Sequence, residues 1–526
     1  MVQRSRGCLR CRQRRVKCDQ ARPSCLRCLT RHELCVGYRD EADLIFQHET
    51  EKVVLKNKHD SSSATPSPST RSRRSQSLSI PRIDASESPP DFLFTAPKPS
   101  PALSSHELDT TRDVAVAAFF DKYVLYPCAE TSSPGFLEHL PCLFRDVDVN
   151  VQGRSALRWA IQAAGFADHS RTKGAVESGA LAAVALECYG NALVALGESL
   201  GTGGKEPDDY DLNCVVVLDI FESLFLPESA VTGSHAQGMA HLLRLRGQEQ
   251  FYDARSWGLF QLAHHRIQKQ QLAKRLQPLP ESKPWLDSLD QARPFIRLEK
   301  QALGISTLCH QANQILGELT SPDKAHHSLV LRLVREMHTL EEQATTWRQG
   351  PEWSFKTLAA AEIAGYRHMV DGLPHTVQVH RDVWLAYEWN YHRTARILLH
   401  QQLLACLRAV KVDVAADSLH AGSAEVMAWE ETSMATVRAL ADEVLSTVAQ
   451  SFGDVDHLGR WIGQSSGGDA PKCQAIGAYL LLWPAKIIKS PDGAATPIQQ
   501  RAAQAVFHRI RECTGMKRTL GSLSDI

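Results

Sequence analysis

Six cysteines fall at fixed intervals near the start of the chain: Cys8, Cys11, Cys18, Cys25, Cys28 and Cys35. The segment repeats itself, as Cys8-x2-Cys11-x6-Cys18 and then Cys25-x2-Cys28-x6-Cys35, so each half offers three thiolates. Two tetrahedral zinc ions need eight ligand positions, and six sulfurs fill them only if two bridge both metals. The symmetry of the repeat puts the bridging pair at equivalent places in the two halves. The same six cysteines could instead pair as disulfides. The rest of the chain argues against that. Its start has no apolar stretch of the signal-peptide kind. The other cysteines, Cys128, Cys142, Cys188, Cys214, Cys309, Cys406, Cys473 and Cys513, are scattered and read as single and reduced. In a reducing compartment a clustered run reads as a metal site. An all-thiolate shell leaves no open coordination position, so the metal would be structural and not catalytic.

The elements that must hold these sulfurs are short. Each half is a Cys-x2-Cys knuckle running into a helix, expected at about 11–17 and 28–33. Helices of that length are marginal alone, so zinc would supply the folding free energy. The same forty residues carry eleven cations against three anions, a net of +8. Six thiolates and two zinc ions bring that to about +6, an electrostatic footprint for phosphate. Residues 1–80 sum to +9 in a chain whose total is zero. The remainder is therefore acidic by the same amount, and the two ends suit different partners.

The run Cys11-Arg12-Gln13-Arg14-Arg15-Val16-Lys17-Cys18-Asp19, with Pro23 ahead of Cys25, resembles the fungal zinc binuclear-cluster transcription factors. The resemblance covers about the first forty residues. It implies two structural zinc ions bridged by Cys8 and Cys25, and a first helix whose C-terminal end enters the major groove at a CGG triplet. Arginine or lysine can donate to guanine O6 and N7, and free carbonyls at a helix end can accept from cytosine N4. Arg15 is the first candidate for base reading, followed by Arg14 and Lys17. Arg10, Arg12 and Arg22 suit phosphate contacts. The sulfurs already fill the shell, so His32 reads as a surface residue.

Downstream, Leu44 and Leu55 sit where a zipper could have core positions, but Gln47, His48 and Glu51 interrupt them. A coiled coil needs about three to four heptads, so a short helix is expected instead. Residues 61–105 are rich in serine and proline and read as a disordered linker. Arg71-Ser72-Arg73-Arg74 suits a nuclear import signal or a solvated patch. Thr65, Ser67, Ser88 and Ser100 each precede a proline, and Asp91-Phe92-Leu93-Phe94 is an apolar island that suits docking or packing.

From about Thr110 the chain reads as strongly helical, with sparse strand signals. No uninterrupted apolar run reaches the ~18 residues of a membrane span. Helices are expected over about 111–126, 175–200, 211–226, 233–246, 322–347, 379–410, 425–449, 475–488 and 498–514. The clearest is 322–347, with Ser321 as N-cap, Pro322 at the first position and a stripe from Val330 to Trp347. Residues 235–247, 384–400 and 478–484 resemble the all-helical regulatory domain downstream of such zinc clusters. The expected fold is all-α: a zinc cluster in residues 1–40, a short helix and linker in 41–105, and a helical regulatory domain in 106–526.

No H-E-x-x-H, phosphate-binding glycine loop, G-x-S-x-G or dinucleotide fingerprint occurs, so no enzyme is expected. The adjacent pairs His264-His265 and His326-His327 point apart on a helix and read as core or surface residues. The aromatics of 384–391 could line a pocket but read first as core. The resemblance implies a nuclear transcription regulator bound to double-stranded DNA, with transcription machinery or co-regulators as partners and no membrane. A homodimer and a small-molecule effector are further options. A metabolite or sterol sensor and a protein-binding scaffold are the alternatives.

Overall fold

Aromatic side chains four residues apart set the first long helix. Ala115, Phe119 and Tyr123 recur at one face and are all fully buried, as expected for residues one helical turn apart. In this computed structural model the described residues are Val16, Cys18, Asp19, Cys28, Thr30 and Arg31, then 105–126, 135–145, 152–171, 175–201, 206–226, 234–318, 324–346, 350, 353–414, 420–462, 475–491 and 493–514. The chain divides into two compact units, Met1–Leu93 and Phe94–Ile526. That division falls at Leu93, where the sequence reading placed boundaries at 40 and 105. The short helix expected after the cluster and the linker expected over 61–105 lie outside the described residues, apart from Ser105, which opens a helix.

The second unit is a helical array. Its first half runs α1 (Ser105–Tyr123), α2 (Leu140–Arg145), α3 (Gln152–Ser170), α4 (Ala175–Gly201), α5 (Asp209–Phe225), α6 (Ser234–Arg246) and α7 (Ala254–Lys274). Then follow α8 (Ser282–Asp287), α9 (Pro294–Glu318) and α10 (Lys324–Thr346). A two-stranded antiparallel hairpin, β1 (Lys356–Ala359) and β2 (Thr376–Val379), interrupts the helices with Lys356 opposite Val379. The chain closes with α11 (Val383–Val414), α12 (His420–Ser446), α13 (Val448–Ser451), α14 (Ala475–Ile488) and α15 (Pro497–Thr514).

Local chemistry explains several boundaries. Asp208 caps α5 by accepting from the backbone of Tyr210 and Asp211, while the Asp211 carboxylate accepts from the Asp208 N–H, a reciprocal arrangement that satisfies otherwise orphaned donors. Asp253 caps α7 by accepting from Ser256 N at 2.9 Å. Asp382 accepts from Leu385 N at 2.6 Å and starts α11 four residues later than expected. The preceding residues Thr376–Val379 are a strand instead. The expected cap at Ser321 and Pro322 lies outside the described residues, and α10 is described from Lys324.

Two cores form. The larger takes side chains from α1, α3 to α7, α14 and α15; the second takes them from α9, α10 and α11. Helix α11 serves both, giving Trp384, Tyr387 and Ile397 to one and Leu385, Tyr391, Leu398 and Leu403 to the other. In α1 the buried face differs from the side on which the sequence spacing puts Val114, Ala117, Ala118 and Leu125. Val114 is exposed, because Phe119 and Tyr123 stack on each other and turn Ala115 and Val116 inward. Helix α4 also departs from expectation. Glu177–Gly201 is long and apolar enough to cross a membrane, with a mean hydropathy of 1.5. Counting uninterrupted apolar residues missed it because glycine, serine and glutamate punctuate the alanines and leucines. Its inward side, including Leu181, Ala185 and Ala192, is buried in the larger core, and α4 packs along α3. Cys513 is disulfide-bonded, whereas Cys142, Cys188, Cys214, Cys309 and Cys406 are free. The expectation that all the downstream cysteines are single and reduced is corrected at Cys513.

Candidate metal centre and nucleic-acid interface

The cysteine run sits in the first unit. Of its six sulfurs, Cys18 and Cys28 are among the described residues, and neither is in a disulfide, as a zinc-binding cysteine requires. Cys28 is 4% exposed and helical. The Arg31 N–H donates to the Cys28 carbonyl at 3.2 Å. That three-residue bond is of the 3₁₀ kind and tightens the chain into a turn. Thr30 and Arg31 are in that turn, so the second helix ends short of the expected Glu33. Val16 and Cys18 are not helical, and the rest of the first helix expected over 11–17 lies outside the described residues. Val16 is 42% exposed between the basic residues and Cys18. The other sulfurs, Cys8, Cys11, Cys25 and Cys35, lie outside the described residues, as do Arg10, Arg12, Arg14, Arg15, Lys17 and Arg22. Among the described residues no group of three or more histidines, cysteines or carboxylates has a metal-holding arrangement.

A second constellation, missed in the sequence, lies in the helical unit. His264 and His265 are neighbours on α7, yet both reach one carboxylate. His264 Nδ1 lies 2.8 Å from Glu299 Oε2 and His265 Nδ1 lies 2.7 Å from Glu299 Oε1. Glu299 is completely buried. Burial alone would raise its pKa, but the charge of His265 and the hydrogen bonds from both rings outweigh it and bring the carboxyl down to about 2. A carboxylate only accepts, so both Nδ1 atoms carry hydrogen. Ser282 Oγ lies 3.0 Å from His264 Nε2, and the Tyr387 hydroxyl lies 2.8 Å from His265 Nε2. The expectation that the paired rings face apart is therefore corrected: a carboxylate on α9 sits between them.

Tyr387 leads to a cavity of about 240 Å³. Phe136, Trp384, Tyr387, Tyr479 and Trp483 form much of its wall. Arg266 on the same wall donates to Asp219 Oδ2 through Nε at 2.8 Å and to the Tyr479 hydroxyl at 3.0 Å. Burial opposes its charge, but Asp219 and Tyr479 overcome that and raise its pKa. Lys269, one turn on, has no such partner among the described residues. Its ammonium faces the rings of Tyr387 and Trp483, at 5.6 and 5.4 Å from their centroids. Burial, with the charge of Arg266 adding to it, lowers its pKa to about 7 against the pull of Asp219. The i, i+3 pair of cations Arg266 and Lys269 was the sequence signal for this site.

The comparisons with known proteins concern the first unit. Residues 6–44 match the family described as the fungal Zn(2)-Cys(6) binuclear cluster domain. The amino-terminal module is thus a binuclear zinc cluster, which binds two zinc ions. White-opaque regulator 2 of Candida albicans is 47% identical over 38 residues, covering 7% of this chain and 8% of that protein. Transcriptional regulatory protein moc3 of Schizosaccharomyces pombe is 50% identical over 36 residues, covering 7% of each chain. The similarity therefore spans less than a tenth of these curated relatives. No solved structure matches the chain.

Proposed function

We propose that the protein is a zinc-dependent, sequence-specific DNA-binding transcription regulator, and not an enzyme. The match of residues 6–44 to the binuclear cluster family carries this reading. The net charge of +8 on residues 1–40 supports it, as do the two relatives, each named as a regulator. In this reading Cys8, Cys11, Cys18, Cys25, Cys28 and Cys35 hold the two zinc ions, with Cys8 and Cys25 bridging. Arg15, with Arg14 and Lys17 beside it, reads a CGG-type half-site in genes transcribed by RNA polymerase II. Arg10, Arg12 and Arg22 fix the module on phosphates. The protein acts in the nucleus. Residues 41–105 link the module to 106–526, the regulatory part, which meets the transcription machinery or co-regulators. The target set is proposed to be metabolic or secondary-metabolite genes.

The test is binding-site selection with the full-length, zinc-loaded protein, followed by titration of selected and scrambled duplexes. Selection returns CGG, its copy number and its spacing, and with them whether one or two copies of the chain bind. Arg15→Ala weakens binding to the selected duplex by roughly five- to 150-fold, the worth of one good base contact of about 1–3 kcal/mol. An equal loss on scrambled DNA would make Arg15 a phosphate contact and overturn its assignment. Selection of no triplet would overturn the DNA reading itself. A second reading, in which a small molecule in the helical unit gates the DNA-binding module, is favoured by the cavity beside Lys269.

A further inference from the structure

Among the described residues Lys269 is a cation without a counter-ion in the wall of a cavity. The neighbouring Arg266 is neutralised by Asp219, and His265 is taken up by Glu299. Lys486 also lines the space. Asp219 is the only carboxylate in the described wall, and Arg266 takes it up. Two further donors stand there unused. Trp384 and Trp483 are 7% and 8% exposed, and their indole N–H groups make no hydrogen bond among the described residues. Buried donors are rarely left without an acceptor. The cations of the large groove between α9 and α10 differ in this respect. There Lys283 and Lys300 both pair with Asp287, and Arg332 pairs with Glu336.

We propose that this cavity binds a compact aromatic carboxylate, whose ring packs among Trp384, Tyr387 and Trp483 and whose anion pairs with Lys269. The space selects the size. At about 240 Å³ it is smaller than the ~300–1,000 Å³ of drug-sized sites. It suits a single ring or a fused pair, and not a polycyclic lipid. The wall selects the chemistry: aromatic faces stack on a planar ring, and an unpaired ammonium in an apolar wall gains most from an anion. The site is independent of the reading of the zinc module, because every residue in it belongs to the helical unit.

The experiment is isothermal titration of the full-length, zinc-loaded protein with benzoate, cinnamate and indole-3-carboxylate, using benzamide as the uncharged control. At least one carboxylate binds saturably, and benzamide binds at least about tenfold more weakly, as expected for loss of a charge-assisted contact. Lys269→Met removes the charge while keeping most of the stem, and weakens the carboxylate by a similar factor. Lys283→Met, a surface change, leaves the affinity unaltered. Because Arg266, Asp219, Lys486, His265, Tyr387 and Tyr479 also face the space, the wild-type pH profile is a further readout. Affinity falls as pH rises through about 7, where Lys269 loses its proton. No saturable binding by any carboxylate up to about 10 mM would overturn the proposal. So would equal binding by benzamide, by Lys269→Met at neutral pH, or by the wild type at pH values either side of about 7.

Discussion

Replacing Glu299 by glutamine is the sharpest test of how the helical unit is held together. The carboxylate joins α7 to α9 through two imidazoles, and Tyr387 carries the contact on to α11. Its pKa falls from 4.5 to about 2 on folding. A depressed acid stabilises the fold fully above the unfolded value of 4.5, and that stabilisation is lost as pH falls towards the folded value. A shift of two to three units is worth about 3 kcal/mol at neutral pH. Independently, removing one partner from a buried charged network costs about 3–5 kcal/mol. Glutamine fills the same volume, but its amide can accept from only one of the two Nδ1–H groups and turns a donor toward the other. Urea unfolding of the full-length protein, followed by far-ultraviolet circular dichroism, should therefore show Glu299→Gln less stable by about 3 kcal/mol at pH 7. Near pH 3.5, one unit below the unfolded value, the difference should shrink by about 1.4 kcal/mol. A variant as stable as the wild type at neutral pH would refute the reasoning. So would a penalty that stays constant into acid, since that would assign the loss to packing and not to charge.

Other changes follow from the same geometry. A methyl group at Gly477 in α14 would lie 1.8 Å from the Ser451 carbonyl oxygen, which is backbone and cannot turn aside. Gly477→Ala should cost about 3 kcal/mol or more, read as a lower urea midpoint, and an unchanged midpoint would mean that α13 and α14 separate freely. Lys269→Met should stabilise the fold most at about pH 6 and least near pH 9.5, because the wild-type unfolded chain holds this proton to higher pH than the folded one does. A gain that does not vary with pH would contradict the burial of that charge. Chelation should release two zinc ions per chain to a metallochromic dye and abolish binding to the selected duplex. The heat-induced unfolding of the helical unit should be unaffected, and a DNA affinity that survives complete zinc loss would sink the metal-dependent reading.

The parts legible in the sequence were those whose determinants are local. The cysteine spacing identified the zinc module because ligands to one metal pair must recur at fixed short intervals. Helix α10 was read from its stripe, and Val330, Leu333, Val334, Met337 and Ala344 are buried as expected. Helices α3, α7 and α9 went unnamed. In α7 and α9 the buried faces include His264, His265, Gln268 and Glu299, so the polar residues that join the helices also erase the apolar periodicity used to find them. The strands of the hairpin are four residues each, too short to show alternation. The convergence of the paired histidines depends on Glu299, more than thirty positions downstream, and no local pattern announces it. Lys269 carried no signal beyond its i, i+3 spacing from Arg266. Its environment is assembled from α7, α11 and α14, which meet only after folding.

Helix α11 runs for 32 residues, about 48 Å at the usual rise, and hands side chains alternately to two cores. It works like a camshaft, since the angular phase of its upper lobes fixes that of its lower ones. Inserting a single alanine near its midpoint would turn everything beyond it by about 100° and advance it by about 1.5 Å. One core would keep its packing while the other received polar side chains. The two halves of the helical unit are therefore locked in rotational register, and neither can be re-engineered or exchanged without the other.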